Sequence, residues 1–201
     1  MLSKIMNLIK ILFFILLILK PEILSANESF NNWVKNYKKY AVGQGVSQAT
    51  VDTAFTNVKF LEKIITYDRR QPEFIEKTNV YIKKRINIKK IQSAKSLIKS
   101  NRDLLNKIEK EFNVSANYLV ALWGIETHFG RHKGKVDIIS ALSTLSYDKR
   151  RSEFFSKELL ILLKLIDKKI IKLESLVGSW AGAHGNFQFM PSSIQNFAID
   201  Y

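Results

Sequence analysis

The chain has no cysteine in its 201 residues. That excludes a disulfide framework, a thiolate-held metal, a catalytic thiol and a lipid anchor attached through cysteine. Only 3 prolines and 8 glycines are present, too few for a collagen-like or linker-dominated chain. Acidic residues are scarce as well: 18 Asp and Glu face 32 Lys and Arg, a formal charge of +14. A balance of that sign attracts anionic partners (nucleic acid, a membrane surface or an acidic polymer) without choosing among them. What is present in quantity is apolar, 46% of the sequence. That is enough to bury one core in a domain of this length and to exclude general disorder.

Lys4 and Lys10 precede an unbroken apolar run from Ile11 to Leu19, which Lys20-Pro21 ends, and Leu24-Ser25-Ala26 offers a small residue for cleavage. This is the pattern of a secretory signal peptide. The run is shorter than the roughly 20 residues of a membrane span. Residues 1–26 are assigned to the signal and 27–201 to the mature domain, with an uncleaved signal anchor as the rival. Cleavage removes three lysines and one glutamate, leaving a net charge of +12 and no stable membrane anchor. Export makes nucleic acid a poor partner and a carboxylate-bearing cell-wall polymer a better one.

The mature chain reads as helices separated by short breaks. Phe30, Trp33, Val34 and Tyr37 recur at helical spacing, with Ser29 as N-cap, and Ser47 opens a second helix through Phe55. Pro72 suits the first turn of a helix carrying Phe74, Ile75 and Tyr81, and a long helical pattern runs on to Phe112. Within it, Tyr81-Ile-Lys-Lys-Arg-Ile-Asn-Ile-Lys-Lys-Ile91 is strongly basic, but its apolar residues interleave at helical spacing, so a solvated helix face is expected. No alternating strand of more than a few residues appears. The fold class expected is mainly α.

Two stretches carry chemistry. From Ser115, an N-cap, to Gly130, a helix stop, residues 118–125 are apolar but for Gly124 and the Tyr118 hydroxyl. Such a helix is expected to be buried all round, which puts Glu126 at the edge of the core, where an unpaired carboxylate is costly. Either Glu126 pairs with an arginine or backbone donors, or burial raises its pKa and equips it as a general acid. The second stretch, Val177 to Ser193, is rich in small residues that let backbone approach a ligand. Trp180, Phe187 and Phe189 offer flat faces for sugar rings, and Ser179 and Gln188 offer polar tips. An ordinary glycine-rich connection is the alternative. Pro191 opens a further helix through Ala198.

Gly-Ile-Glu-Thr-x-x-Gly at 124–130 and Ala-Gly-Ala-x-Gly-x-x-Gln-Phe-Met-Pro-Ser-Ser at 181–193 resemble the lytic murein transglycosylase B family, glycoside hydrolase family 103. Further similar segments are Tyr67 to Phe74, Gly134 to Ser146 and Arg150 to Phe155. The resemblance implies a lysozyme-like, mainly helical fold, incomplete at its C-terminus here. It also implies cleavage of the MurNAc–GlcNAc β-1,4 bond of peptidoglycan glycan strands without water, leaving a 1,6-anhydro end. The family's catalytic glutamate falls on Glu126, and its groove residues fall on Ser179, Gln188 and, by local spacing, Tyr81. One glutamate suffices because the substrate supplies the nucleophile, whereas ordinary glycosidases need two carboxylates. Asp137 and Asp148 are the candidates for a second. The location implied is the periplasm of a Gram-negative cell.

The sequence departs from the family at His184, where methionine is usual, and at Asn186-Phe187, where Tyr-Gly is usual. Family members also continue beyond Tyr201, some into an Asp-rich calcium loop, of which only Asp200 remains. No metal and no cofactor are expected. Two rival classes stand beside the enzyme. His128 and His132 have the i, i+4 spacing of a metal hydrolase, but Gly130 lies between them and His-Glu-x-x-His is absent. A non-catalytic peptidoglycan-binding protein, or a truncated inactive homologue, would keep the aromatic and amide contacts without needing a protonated Glu126.

Overall fold

Ten α-helices, one 3₁₀ turn and two very short strands follow one another through residues 21–70 and 77–199, the part of the chain that the structure, a computed structural model, describes. The expected signal segment up to Lys20 and the helix start at Pro72 lie outside the described residues. No helix among the described residues is long and apolar enough to cross a membrane.

Helix α1, Pro21–Gly43, buries Phe30, Val34, Tyr37 and Ala41, a stripe at spacings of four, three and four. It starts well before Ser29, which is therefore not its cap; the Ser29 hydroxyl instead accepts a 2.9 Å bond from the Tyr147 hydroxyl. Helix α2, Gln48–Ala54, is capped by Ser47 as expected. Helix α3, Glu62–Arg69, buries Ile64 and Asp68.

The long helical pattern breaks into three helices: α4, Thr78–Arg85, α5, Ile88–Ser100, and α6, Arg102–Phe112. The breaks fall at asparagines, whose side chains compete with the helical backbone. Asn87 caps α5 by accepting from the Lys90 amide at 2.9 Å, and Asn101 leaves helical geometry between α5 and α6. Helix α7, Ala116–Thr127, follows its Ser115 cap.

Strand β1, Val136–Asp137, leads into helix α8, Ile138–Tyr147, and α9 spans Ser152–Asp167. Strand β2, Val177–Gly178, pairs antiparallel with β1, Val136 opposite Gly178 and Asp137 opposite Val177. Helix α10, Pro191–Phe197, begins on proline as expected.

The main core gathers on α8, which packs most extensively on α9 and also touches α1 and α3. Residues 138–146 of α8 are all buried. Its hydroxyls secure the loop before α3: Ser140 Oγ accepts from the Lys59 amide and Thr144 Oγ1 from the Leu61 amide, both at 3.0 Å. Around it, Phe30, Phe60 and Tyr147 pack edge-on or tilted within 6 Å of one another. A second, smaller cluster of Leu105, Ala116 and Val120, backed by Leu97 and Ile98, joins α5, α6 and α7.

The helix expected to be buried all round was the wrong one. Helix α7 buries a single stripe, Ala116, Val120, Gly124 and Thr127, while Tyr118, Leu122 and Ile125 are 71%, 50% and 48% exposed. The enclosed helix is α8, whose five hydroxyl-bearing side chains (Ser140, Ser143, Thr144, Ser146 and Tyr147) disguised it in the sequence. The basic run at 81–91 is solvated, as expected, but Ile82, Ile86, Ile88 and Ile91 are exposed with it.

Candidate active site

The last turn of α7 presents Glu126 to a cleft of about 520 Å³. Leu119 and Leu122 come from the same helix, Phe112 from α6, Phe187 and Phe189 from the loop after β2, and Phe197 from the end of α10. Among the described residues, Glu126 is the only ionisable side chain in the lining. Among the described residues it has no hydrogen-bond or ion-pair partner, so pairing with an arginine is not what holds it. It is not a core residue either, since its side chain stays open to solvent on one side. The apolar wall on the other side withdraws water from the carboxylate and raises its pKa above the usual value of 4.5. The direction is that of a general acid.

The orientation of Glu126 depends on its neighbour. Thr127 is fully buried, and its hydroxyl donates to the Asn186 carbonyl at 2.7 Å while accepting from the Gly130 amide at 3.0 Å. The chain then makes three successive left-handed residues, His128, Phe129 and Gly130. Two of them carry Cβ and so pay a conformational cost. The turn folds the Phe129 ring back onto Gly124, where a Cβ would meet the ring at 2.7 Å. A helix ending three residues before the expected glycine is thus tied to the opposite wall. Sequence reasoning gave Thr127 no role; a hydroxyl beside the acid, at the end of an apolar helix, was the available signal.

Of the glycines in the second stretch, Gly178 serves a contact between backbones, Gly182 makes room for the Leu142 side chain and Gly185 faces open space. A Cβ on Gly178 would lie 2.1 Å from the Ala183 carbonyl, and one on Gly134 would lie 1.9 Å from the Gly178 carbonyl. Ser179 closes the turn, its Oγ accepting from the Ala181 and Ala183 amides at 3.3 and 3.0 Å. Gln188 is left-handed at φ 50°. Its Nε2 donates to the carbonyls of Lys133 and Gly185 at 3.1 and 2.9 Å, which leaves Oε1 without a partner among the described residues. These two side chains shape the loop that carries Phe187 and Phe189 and do not themselves line the cleft.

Tyr81 is not in the cleft lining. It lies on α4 with the Arg85 guanidinium 3.5 Å above its ring. Trp180 packs on the main core and meets Tyr67 at 6.4 Å between ring centroids. Asp137 caps α8 through the Ser140 amide at 2.6 Å, and Asp148 pairs with Arg69 at 3.0 Å, so both alternative carboxylates hold structure. The His128 and His132 rings lie 5.6 Å apart. Partial desolvation, then the charges of Lys90, Arg131 and His132, hold the pKa of His128 below its usual value. That cationic setting opposes a second cation.

The Transglycosylase SLT domain family matches residues 29–201. The membrane-bound lytic murein transglycosylase B of Escherichia coli (strain K12) is 38% identical over 122 residues, 60% of this chain and 34% of that protein. SltB3 of Pseudomonas aeruginosa, solved in complex with NAG-NAM-pentapeptide, has a TM-score of 0.81 at 30% identity, over 85% of this chain and 46% of that one. The Escherichia coli lytic transglycosylase Slt35, solved with bulgecin A, has a TM-score of 0.71 at 29% identity, over 87% and 55%. The chain therefore spans between a third and just over half of these relatives. The mainly α architecture is the lysozyme-like fold of these enzymes. With the match running through nearly all of the described structure, the chain belongs to the Transglycosylase SLT domain family.

Proposed function

We propose that this chain is an exported peptidoglycan lytic transglycosylase with Glu126 as its single acid and base. A protonated Glu126 gives its proton to the oxygen of the MurNAc–GlcNAc β-1,4 bond, and the bond between that oxygen and muramoyl C1 breaks. The C6 hydroxyl of the same muramoyl residue attacks C1, and the Glu126 carboxylate takes the hydroxyl proton. A 1,6-anhydro end forms, no water is consumed and the glutamate is returned to its starting state. The observation that carries this reading is a carboxyl with a raised pKa that, among the described residues, is unpaired in an otherwise apolar cleft. The relatives' names and the bound NAG-NAM-pentapeptide of SltB3 support a murein substrate. The charged and apolar start of the sequence supports export to a periplasm.

A digest of purified sacculi, analysed by mass spectrometry with the wild-type chain and Glu126→Gln, tests it. Products about 18 Da lighter than hydrolysis products, absent with the variant, are expected. Hydrolysis products of full mass would overturn the anhydro mechanism. The solvent exposure of Glu126 favours a second reading, a peptidoglycan-binding protein without turnover. Sacculus binding with no product from either chain would establish that one.

A further inference from the structure

A second cleft, of about 560 Å³, opens between residues 57–67 and the turn from β1 into α8. Its volume falls within the range of ligand sites. Lys59, Lys63 and Lys135 line it, all three exposed, and none of their ammonium groups has a hydrogen-bond or ion-pair partner among the described residues. Among the described residues Asp137 is the one carboxylate in the lining; its Oδ1 accepts from the Ser140 amide at 2.6 Å, and its Oδ2 is uncommitted. Ser140, which also lines the cleft, is 2% exposed. Its hydroxyl oxygen accepts from the Lys59 amide at 3.0 Å, while its hydrogen has no acceptor among the described residues. A buried hydroxyl with a proton still to give suits an acceptor from outside the chain. Tyr67, 51% exposed, adds a ring to the lining and meets Trp180 at 6.4 Å between centroids.

We propose that this cleft binds an acidic peptide, whose carboxylates meet Lys59, Lys63 and Lys135 and whose free amine meets Asp137. Three cations around one cleft repel one another, and carboxylates seated among them remove that cost. The flexible four-carbon stem of each lysine lets an exposed ammonium turn toward a ligand. Asp137 decides against a nucleic acid or a polyphosphate, whose phosphates it repels and which bring it no ammonium. The source of the peptide rests on the murein reading proposed above: it is a stem peptide of the cell-wall polymer. A diaminopimelate pentapeptide joined to the glycan through its N-terminus keeps three carboxylates and one amine, which matches three lysines and one aspartate. Strand β1 on the cleft wall pairs with β2, and the Lys133 carbonyl accepts from Gln188 Nε2 at 3.1 Å. A stem held here therefore lies against the same small sheet that fixes the loop of the Glu126 cleft.

Fluorescence anisotropy on the full chain reads the binding, with the synthetic pentapeptide Ala-γ-D-Glu-diaminopimelyl-D-Ala-D-Ala labelled at its N-terminus. A comparison peptide has every carboxylate converted to a carboxamide. Saturable binding with a Kd below about 1 mM, and about tenfold weaker for the carboxamide peptide, is expected. Lys63→Glu with Lys135→Glu should lower the affinity about tenfold with the circular dichroism unchanged. Lys95→Glu with Lys99→Glu, the same change of charge on exposed positions of α5, should leave it near the wild-type value. Asp137→Asn, which still caps α8, should weaken the peptide whose amine is free and not the same peptide acetylated there. Equal binding of the carboxamide peptide, no binding, equal losses from the two lysine pairs, or displacement by inorganic pyrophosphate or DNA as effective as by unlabelled peptide would overturn the proposal. The carboxamide comparison uses the wild-type chain and so decides independently of how any variant folds. No glycan is cut in this measurement. Peptide binding by a chain that releases no anhydro products from sacculi would retain the site and refute the lyase reading, whereas anhydro products without peptide binding would refute the site alone.

Discussion

The hydroxyl of Thr127 donates to the carbonyl of Asn186 at 2.7 Å and, through that bond, fastens the helix bearing Glu126 to the loop bearing Phe187 and Phe189. Acid and apolar wall come from segments about sixty residues apart, and their spacing sets both the shape of the cleft and the desolvation of the carboxyl.

Thr127→Val keeps the volume and removes the hydroxyl. It leaves the Asn186 carbonyl and the Gly130 amide short of a partner, at a cost of about 1–3 kcal/mol. Thermal unfolding should register that loss. Sacculus digestion should fall further than the lost folded fraction explains, and its pH optimum should move toward that of an ordinary carboxyl. Thr127→Ser should restore most of both.

Glu126→Gln should trade activity for stability. A carboxyl whose folded pKa lies above its unfolded value of 4.5 binds its proton more tightly in the fold, so stability is lost as pH rises through the folded pKa. The amide escapes that loss. The variant should melt with the wild type well below the unfolded carboxyl pKa and above it at pH 7. Wild-type turnover should decline as pH rises through the same raised pKa, since the acid must start protonated.

Asp68 is 2% exposed and receives Arg150 and Arg151, which bind α3 to the start of α9. Losing one partner of a buried pair usually costs about 3–5 kcal/mol. Here the two arginines are 45% and 39% exposed and can recover water, so Asp68→Asn should cost about 2 kcal/mol in urea unfolding. The cleft lies elsewhere, and the activity per folded molecule should stay near wild type.

Two left-handed glycines separate conformation from contact. Gly185, at φ +78°, has nothing within 4 Å of a built Cβ, whereas Gly134, at φ +89°, would press its Cβ on the Gly178 carbonyl. Gly185→Ala should cost about 1 kcal/mol for the backbone alone. Gly134→Ala should cost several times more and should lower sacculus digestion, because the pairing of β1 with β2 holds the loop in place.

The sequence disclosed those elements whose signals are local. Ser47 and Ser115 as caps, Pro191 as a helix start and the mainly α class all follow from short patterns of one or two turns. The breaks at Asn87 and Asn101 went unseen because the apolar spacing continues across them. The central helix α8 was missed because its buried hydroxyls look solvated until the loop amides that they bind are known. Glu126 stood out since a charge closing an apolar run is visible without coordinates. Thr127 did not, because its partner at Asn186 is remote in sequence.

The two hydrophobic clusters are separate: Leu105, Ala116 and Val120 unite α5, α6 and α7, while the larger core surrounds α8. Glu126 belongs to the first body, and Phe187 and Phe189 are attached to the second. The cleft is therefore a seam, crossed near the acid by the Thr127 hydroxyl. Opening a seam does not require repacking an interior, so its width is a soft coordinate, limited by a few straps rather than by close-packed side chains. A glycan that narrows the gap would expel water from the carboxyl and raise its proton affinity further. On the proposed reading of Glu126, the polymer would help to prepare the acid that cuts it.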